Sequence, residues 1–360
     1  MTRADSWART LRDWRCPIDE RAAAARALAA LATDDAVTTL ASALDDSAWT
    51  LRARIAESLG LADHPQAHEL ASALVDDADE KVACAAVRTL AWRPGDEAVV
   101  ILTRLLGDDR RSLRVRCTAA RALARAGGRA TCEALADAID TTRHDELRDA
   151  ALAALSTRPL RVTHDLFTWL LARTHGARRI QILETLGDTS GDVACVAAPY
   201  LADDIPEIRE AAAVAIADAA CAGEAGEALV AALAREPETA VRFALYHALA
   251  NQVRFEVGPV VRRTVAEQSP DLRLAGCAAL AVEVARRPAE AAGFDADVVP
   301  VLLMGALDEA QPDRALKAVA VLKVAMTAGA RRALRAIAAA AREPIAAAAR
   351  AALQDGELGD

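Results

Sequence analysis

Three nonapeptides, LRARIAESL at 51–59, VACAAVRTL at 82–90 and VRCTAARAL at 115–123, decide how this chain folds. Each opens on an apolar residue, carries small or aliphatic residues at positions five, six and eight, and ends on Leu. Those positions are three to four residues apart, so on a helix they gather on one face. Eight further copies extend the pattern: ERAAAARAL (20–28), LRDAALAAL (147–155), RRIQILETL (178–186), IREAAAVAI (208–216), VRFALYHAL (241–249), LRLAGCAAL (272–280), RALKAVAVL (314–322) and IAAAARAAL (345–353). Nine of the ten intervals between successive final residues lie between 30 and 33 residues. A period of that length is the mark of a stack of repeats. The long interval holds ARRPAEAAGFDAD at 285–297, whose Pro and Gly predict a surface loop or a short extra turn.

A second amphipathic segment separates successive copies, at 36–44, 67–75, 97–106, 132–139, 163–172, 193–201, 224–233, 258–265, 298–307 and 331–340. The unit is therefore helix, acidic turn, helix, short turn. Turns such as DDSA (45–48), DDADE (76–80) and DDIPE (203–207) place Asp or Ser beside a helix start, where an acceptor side chain caps free N–H groups. Pro206, Pro237, Pro270, Pro312 and Pro344 fall near helix starts, where a missing N–H costs nothing.

Composition agrees. Among 360 residues, 53% are hydrophobic but only 3% aromatic, so Ala and Leu form the core and strands are disfavoured. Charged residues make up 26% with a net charge of −9, a balance that argues against a general nucleic-acid binder. The longest apolar runs are about half of the roughly 18–20 residues a bilayer requires. MTRADSWARTLRDW has no apolar stretch of the secretory kind. Seven cysteines without a CxxC are expected to be free thiols, mostly buried, in a reducing cytoplasm.

An acidic turn followed by V/L-R-x-x-A-A-x-A-L resembles the HEAT repeat, in particular the short bacterial type named from phycobilisome lyases. The resemblance covers about 19–353, with 1–18 as an N-terminal cap segment and 354–360 as a tail. It implies an all-α fold, a right-handed α-solenoid of about eleven helical hairpins. Arg stands at position two in Arg21, Arg52, Arg116, Arg148, Arg179, Arg209, Arg242 and Arg273, and is replaced in Ala83, Ala315 and Ala346. Beside acidic turns, a planar guanidinium bridges carboxylates and turn carbonyls, so these arginines are expected to form a ladder that weakens toward the C-terminus. Trp7 and Trp14, two turns apart, are expected to cover the first repeat, and the other tryptophans to serve in packing.

The resemblance further implies that the second helices line a concave face. The variable slots, chiefly three, four and seven, then look into the groove. They run from Arg26, Arg54, Arg88 and Arg121, through Asp149, Glu184 and Glu210, to Phe243, His247 and Leu274, with Cys84 and Cys117 among them. The expected binding residues are Arg26, Arg54, Arg88, Arg121, Asp149, Glu184, Phe243 and His247. A surface of changing polarity suits a protein partner or an extended peptide better than a uniform polyanion. The expectation is a non-enzymatic, cytoplasmic scaffold without cofactor or metal. Its alternative is an enzyme or enzyme subunit acting in the groove, of the HEAT-like DNA glycosylase or chromophore-lyase kind. His68-Glu69 is the only His-Glu pair, HExxH is absent, and so are the phosphate-binding glycine loops GxxxxGK[ST] and GxGxxG. The histidines, His64, His68, His144, His164, His175 and His247, are scattered and read mostly as turn residues.

Overall fold

The computed structural model describes residues 2–92, 95–219, 225–251, 255–308 and 310–357. They are all-α, with no strand among the described residues. Contacts divide the chain into two compact units, Met1–Arg158 with Val162–Arg173, and Pro159–Arg161 with Thr174–Asp360. In the first unit every nonapeptide is helical, within Ile18–Leu31, Trp49–Leu59, Glu80–Leu90, Leu113–Ala126 and Asp145–Ser156. Each of these second helices packs on the next. Alternating with them are Asp34–Ala41, Pro65–Leu74, Asp96–Gly107 and Arg129–Thr141, with Arg3–Arg12 packed on the first second helix. The other unit repeats the scheme with Ala177–Gly187, Pro206–Asp218, Thr239–Asn251, Pro270–Arg286, Pro312–Ala325 and Ile345–Glu357. Each unit is thus a solenoid stack. No helix among the described residues is long and apolar enough to cross a membrane.

Small residues set how closely the second helices approach. Ala24, Ala25, Ala56, Ala86, Ala119, Ala120, Ala212 and Ala213 are buried at positions five and six. Tyr246 breaks this rule and is nevertheless fully buried. The next copy compensates with Gly276, where a Cβ would stand 2.9 Å from the Tyr246 ring and 2.3 Å from the Thr264 hydroxyl.

The arginine ladder has a specific register. Asp46, Asp77, Asp203, Glu236 and Glu267 each stand six residues before position two of a nonapeptide. Each receives the guanidinium of the preceding repeat. Arg21 meets Asp46 at 2.5 Å and Arg179 meets Asp203 at 2.7 Å. Arg52 grips Asp77 with two bonds of 2.8 and 2.9 Å, and Arg209 grips Glu236 with two of 2.7 and 2.8 Å. Arg242 pairs with Glu267 at 3.0 Å. The backbone N–H two residues on also donates to the carboxylate at Asp46, Asp77, Asp203 and Glu236. Three of these arginines also reach back to the carbonyl six residues before them, Arg52 to Asp46 at 2.8 Å, Arg209 to Asp203 at 2.9 Å and Arg242 to Glu236 at 3.4 Å. One guanidinium therefore ties its own turn to the next repeat. Arg148 turns instead to Asp145 of its own turn, at 2.6 Å.

A second set of bonds runs along the other end of the second helices, where carbonyls lack intrahelical donors. Thr89 donates to the Ala56 carbonyl at 2.7 Å, Arg125 to Ala91 at 3.3 Å and Asn251 to Ala217 at 2.9 Å. Arg158 does the same for Ala124.

Two expectations change, those for the tryptophans and the histidines, and a third is narrowed. Trp14 is 76% and Trp92 68% exposed, and Trp49 and Trp169 are also exposed. An interface of alanines leaves no room for an indole, so these rings lie at the surface beside cations: Arg15, Lys81, Arg125 and Arg173 sit 4.1–5.3 Å from the ring centroids. Of the two forms expected for the 285–297 insertion, a surface loop or a short extra turn, the structure shows the second, packed against the stack. It contains short helical turns, buries Phe294 completely, and uses Asp295 to accept from the Thr327 hydroxyl and the Gly329 N–H. His68, His164 and His247 lie within helices, and His64 and His144 stand at helix N-caps. Among the described cysteines, Cys84, Cys117, Cys132 and Cys277 are buried and Cys195 is exposed; Cys221 lies outside the described residues.

Three experiments test this frame. Arg209→Ala leaves the buried Glu236 carboxylate without its guanidinium and should cost about 3 kcal/mol. Arg26→Ala, on an exposed face, should change stability by under about 0.5 kcal/mol. Urea melts checked for two-state behaviour compare the two. Gly276→Ala should cost about 1–3 kcal/mol in the same assay, because Tyr246 and Thr264 are both buried and must move. The third experiment varies pH. Bonds from Arg52 hold the Asp77 carboxyl below the usual carboxylate range. At Asp46 and Glu236 burial pulls the other way, but the backbone N–H and guanidinium bonds outweigh it and the pKa is again lowered. Depressed acids contribute stability that is complete above their unfolded pKa, about 4, and is lost as pH falls through the folded value. The urea midpoint should therefore be flat from pH 7 to 5 and fall below about pH 4, with a shallower fall in Arg52→Ala.

Candidate functional site

Positions one, two, five, six, eight and nine of the nonapeptide are consumed by the frame. Position seven lies on the same helix face as three and four, three to four residues earlier, and as the residue before the nonapeptide, two turns earlier. Arg26, Glu57, Arg88, Arg121, Glu184 and His247 at position seven are all exposed. Arg54, Asp149 and Phe243, from positions three and four, are exposed with them. Cys84 and Cys117 are not: Glu80–Leu90 is buried on nearly every side, and Cys84 accepts a weak contact from Thr118 on the next second helix. These two cysteines belong to the packing and not to the surface.

In the first unit, Arg26 and Arg54 share a shallow depression of about 450 Å³ with Asp19 and Glu57. Arg121 and Asp149 share another of about 570 Å³ with Glu80, Arg114 and Glu146. The arginines do not make an unbroken basic stripe. Glu57 is paired with both Arg54, at 3.0 Å, and Arg88, at 3.2 Å, and Glu80 lies 3.6 Å from Arg114. Arg26 and Arg121 form no ion pair among the described residues. Arg114, Glu80 and Glu146 were missed by counting only within the nonapeptide. Arg114 and Glu146 immediately precede it, and Glu80 stands two residues before it. A helical wheel extended one turn backward would have found them.

In the second unit, Glu184 and Glu210 lie on successive second helices, followed by Phe243 and His247 on Thr239–Asn251. Phe243 is 50% exposed, a large aromatic surface for a chain so poor in aromatics. Asn251, one turn beyond His247, spends its amide on the Ala217 carbonyl. Beyond Phe243, Leu274 lines an apolar cavity of about 320 Å³ with Val301, Leu302 and Met304; Arg273, Asp308 and Arg314 stand at its margin. Met304 is 76% exposed. Among the described residues no group of three or more His, Cys, Asp or Glu is placed to hold a metal ion. The surface offers charge pairs, an aromatic and an apolar recess, which are recognition elements.

Comparison with known proteins follows the same line. Residues 67–156 match the family model of HEAT repeats. No protein of curated description matches the chain. Among solved structures, the karyopherin Kap121p bound to the extreme C-terminus of the protein phosphatase Cdc14p aligns over 98% of this chain and 45% of its own, at 11% identity and a TM-score of 0.67. Kap121p bound to Pho4p aligns over 97% and 45%, at 10% identity and a TM-score of 0.66. The chain thus spans less than half the length of that karyopherin, and the likeness is one of fold. Human deoxyhypusine hydroxylase aligns over 68% of this chain and 94% of its own at 22% identity, with a TM-score of 0.32 that supports no argument. The period, the helix pairs and these matches together support a HEAT-repeat protein.

Proposed function

We propose that this protein is a non-enzymatic interaction scaffold that binds a protein partner, through an extended segment, along its second-helix surface. The observation that carries this is the separation of roles along each nonapeptide. Six positions are tied up in the frame, while the exposed slots carry Arg, Glu and Asp in the first unit and Glu184, Phe243 and His247 in the second. The karyopherin structures support the reading, since in them Kap121p, which shares this fold, is bound to Pho4p and to the extreme C-terminus of Cdc14p. We place the protein in the cytoplasm on the strength of its free thiols, and in the short phycobilisome-lyase-type class on the wording of its repeats.

Within this proposal the two units contribute differently. Arg26 and Arg121 steer an acidic stretch of the partner, Asp149 and Glu184 meet basic residues and set register, and Phe243 is the close-contact anchor with His247 beside it. Affinity capture from a lysate of the source organism, followed by mass spectrometry, identifies the partner. Kinetics then decide. Reversing charge at Arg26 and Arg121 should slow association and flatten its salt dependence. Phe243→Ala should speed dissociation by about 10-fold or more. Unchanged kinetics in both variants would move the site off the second-helix surface and end the proposal.

A further inference from the structure

The arginine ladder has a missing rung. Thr142 stands where its counterparts are Asp46, Asp77, Asp203, Glu236 and Glu267, six residues before Arg148. Its local geometry is that of a rung in every other respect. Arg148 donates to the Thr142 carbonyl at 3.3 Å, as Arg52 does to Asp46. The N–H two residues on, at His144, donates to the Thr142 hydroxyl at 3.2 Å, as Ala48 does to the Asp46 carboxylate. What is absent is the carboxylate that the preceding arginine, Arg116, would grip. Arg116 is buried, with its side chain 10% exposed, and its Nε donates to the Leu106 carbonyl at 3.0 Å. Among the described residues its carboxylate partner is Asp109, whose side chain is 89% exposed. A cavity of about 600 Å³ opens here, lined by Arg116, Thr142, Arg143, His144, Asp109 and Asp137.

We propose that this cavity is a carboxylate-binding site, in which a ligand's carboxylate takes the place of the missing rung on Arg116. Arg21 is the template: its Nε donates to the carbonyl ten residues back, at Leu11, as that of Arg116 does to Leu106, and its Nη2 donates to the Asp46 carboxylate of the next turn. Arg143 and His144 add donors at the rim. Asp109 and Asp137 oppose a second negative charge, so the site takes one carboxylate and rejects a polyanion. It lies at the turn edge of the first unit and does not depend on the partner surface proposed above.

The test uses the full chain and its thermal midpoint. Sodium acetate, a monocarboxylate, should raise the wild-type midpoint, beyond sodium chloride at equal ionic strength, by about 2 °C or more at saturation. Thr142→Asp supplies the rung from within the chain, so its midpoint should no longer respond. Arg116→Lys keeps the charge but loses the planar fork and should need about 10-fold more acetate. Asp109→Asn, which removes the competing charge, should need less. A capped pentapeptide Gly-Ser-Asp-Ser-Gly and its Asn counterpart distinguish sources: a shift with the Asp form alone assigns an acidic side chain of a partner, and a shift with acetate alone assigns a free small carboxylate. No response of the wild type to either probe, or a response that persists in Thr142→Asp, would overturn the proposal.

Discussion

The structure depends on one interaction, the guanidinium of one repeat closed on the turn carboxylate of the next. Within a repeat, helix pairing follows from an apolar face. Between repeats, the contact surface is mostly alanine, which buries little area per residue and discriminates poorly between registers. Arg52 on Asp77 and Arg209 on Glu236 supply the discrimination. Each is a two-point grip at 2.7–2.9 Å, satisfied further by a backbone N–H, so sliding one repeat on the next would leave buried charges without partners. Such a pair contributes more to specificity of assembly than to net stability, because taking both ions out of water offsets much of their attraction.

The bonds at the opposite ends of the second helices complete the constraint. Thr89, Arg125 and Asn251 each close a carbonyl of the preceding second helix, so a helix is held to its neighbour at both ends. The middle is then free to pack by size alone. That freedom is visible at Tyr246, whose ring fills a slot that holds Ala25, Ala56, Ala120 and Ala213 in other copies, with the loss taken up by Gly276. Only a frame fixed at its ends tolerates such a trade without losing its period.

Much of this was legible in the residues. The period of 30–33 and the apolar spacing give the helix pairs, and position two announces a ladder. Its register was also present, in acids six residues before position two, but recognising it requires knowing that the guanidinium reaches forward to the next turn as well as back to its own. The tryptophans were misread because indole is usually interior; here the alanine interface excludes it, and composition alone does not say which surface is that tight. The candidate surface was half legible. The exposure of Arg26, Arg121 and Phe243 follows from helical spacing. The pairing of Glu57 with two arginines does not, since it depends on side chains from adjacent repeats meeting across a groove.

Frame and surface are thus written in separate positions of the same nine residues. An exposed slot such as position seven can change from Arg88 to Glu184 to His247 without touching a buried partner. The frame positions lack that latitude, because each answers to a residue about 24–27 or 33–34 positions away: Arg179 to Asp203, Arg209 to Glu236, Thr89 to Ala56. A frame residue that changes without its partner therefore leaves a buried group unsatisfied or a space unfilled. Thr142 is such a change, a hydroxyl where the register calls for a carboxylate, and it coincides with a cavity beside a buried arginine. In a repeat stack, the departure from the rule marks the position where something other than the chain itself can supply the missing group.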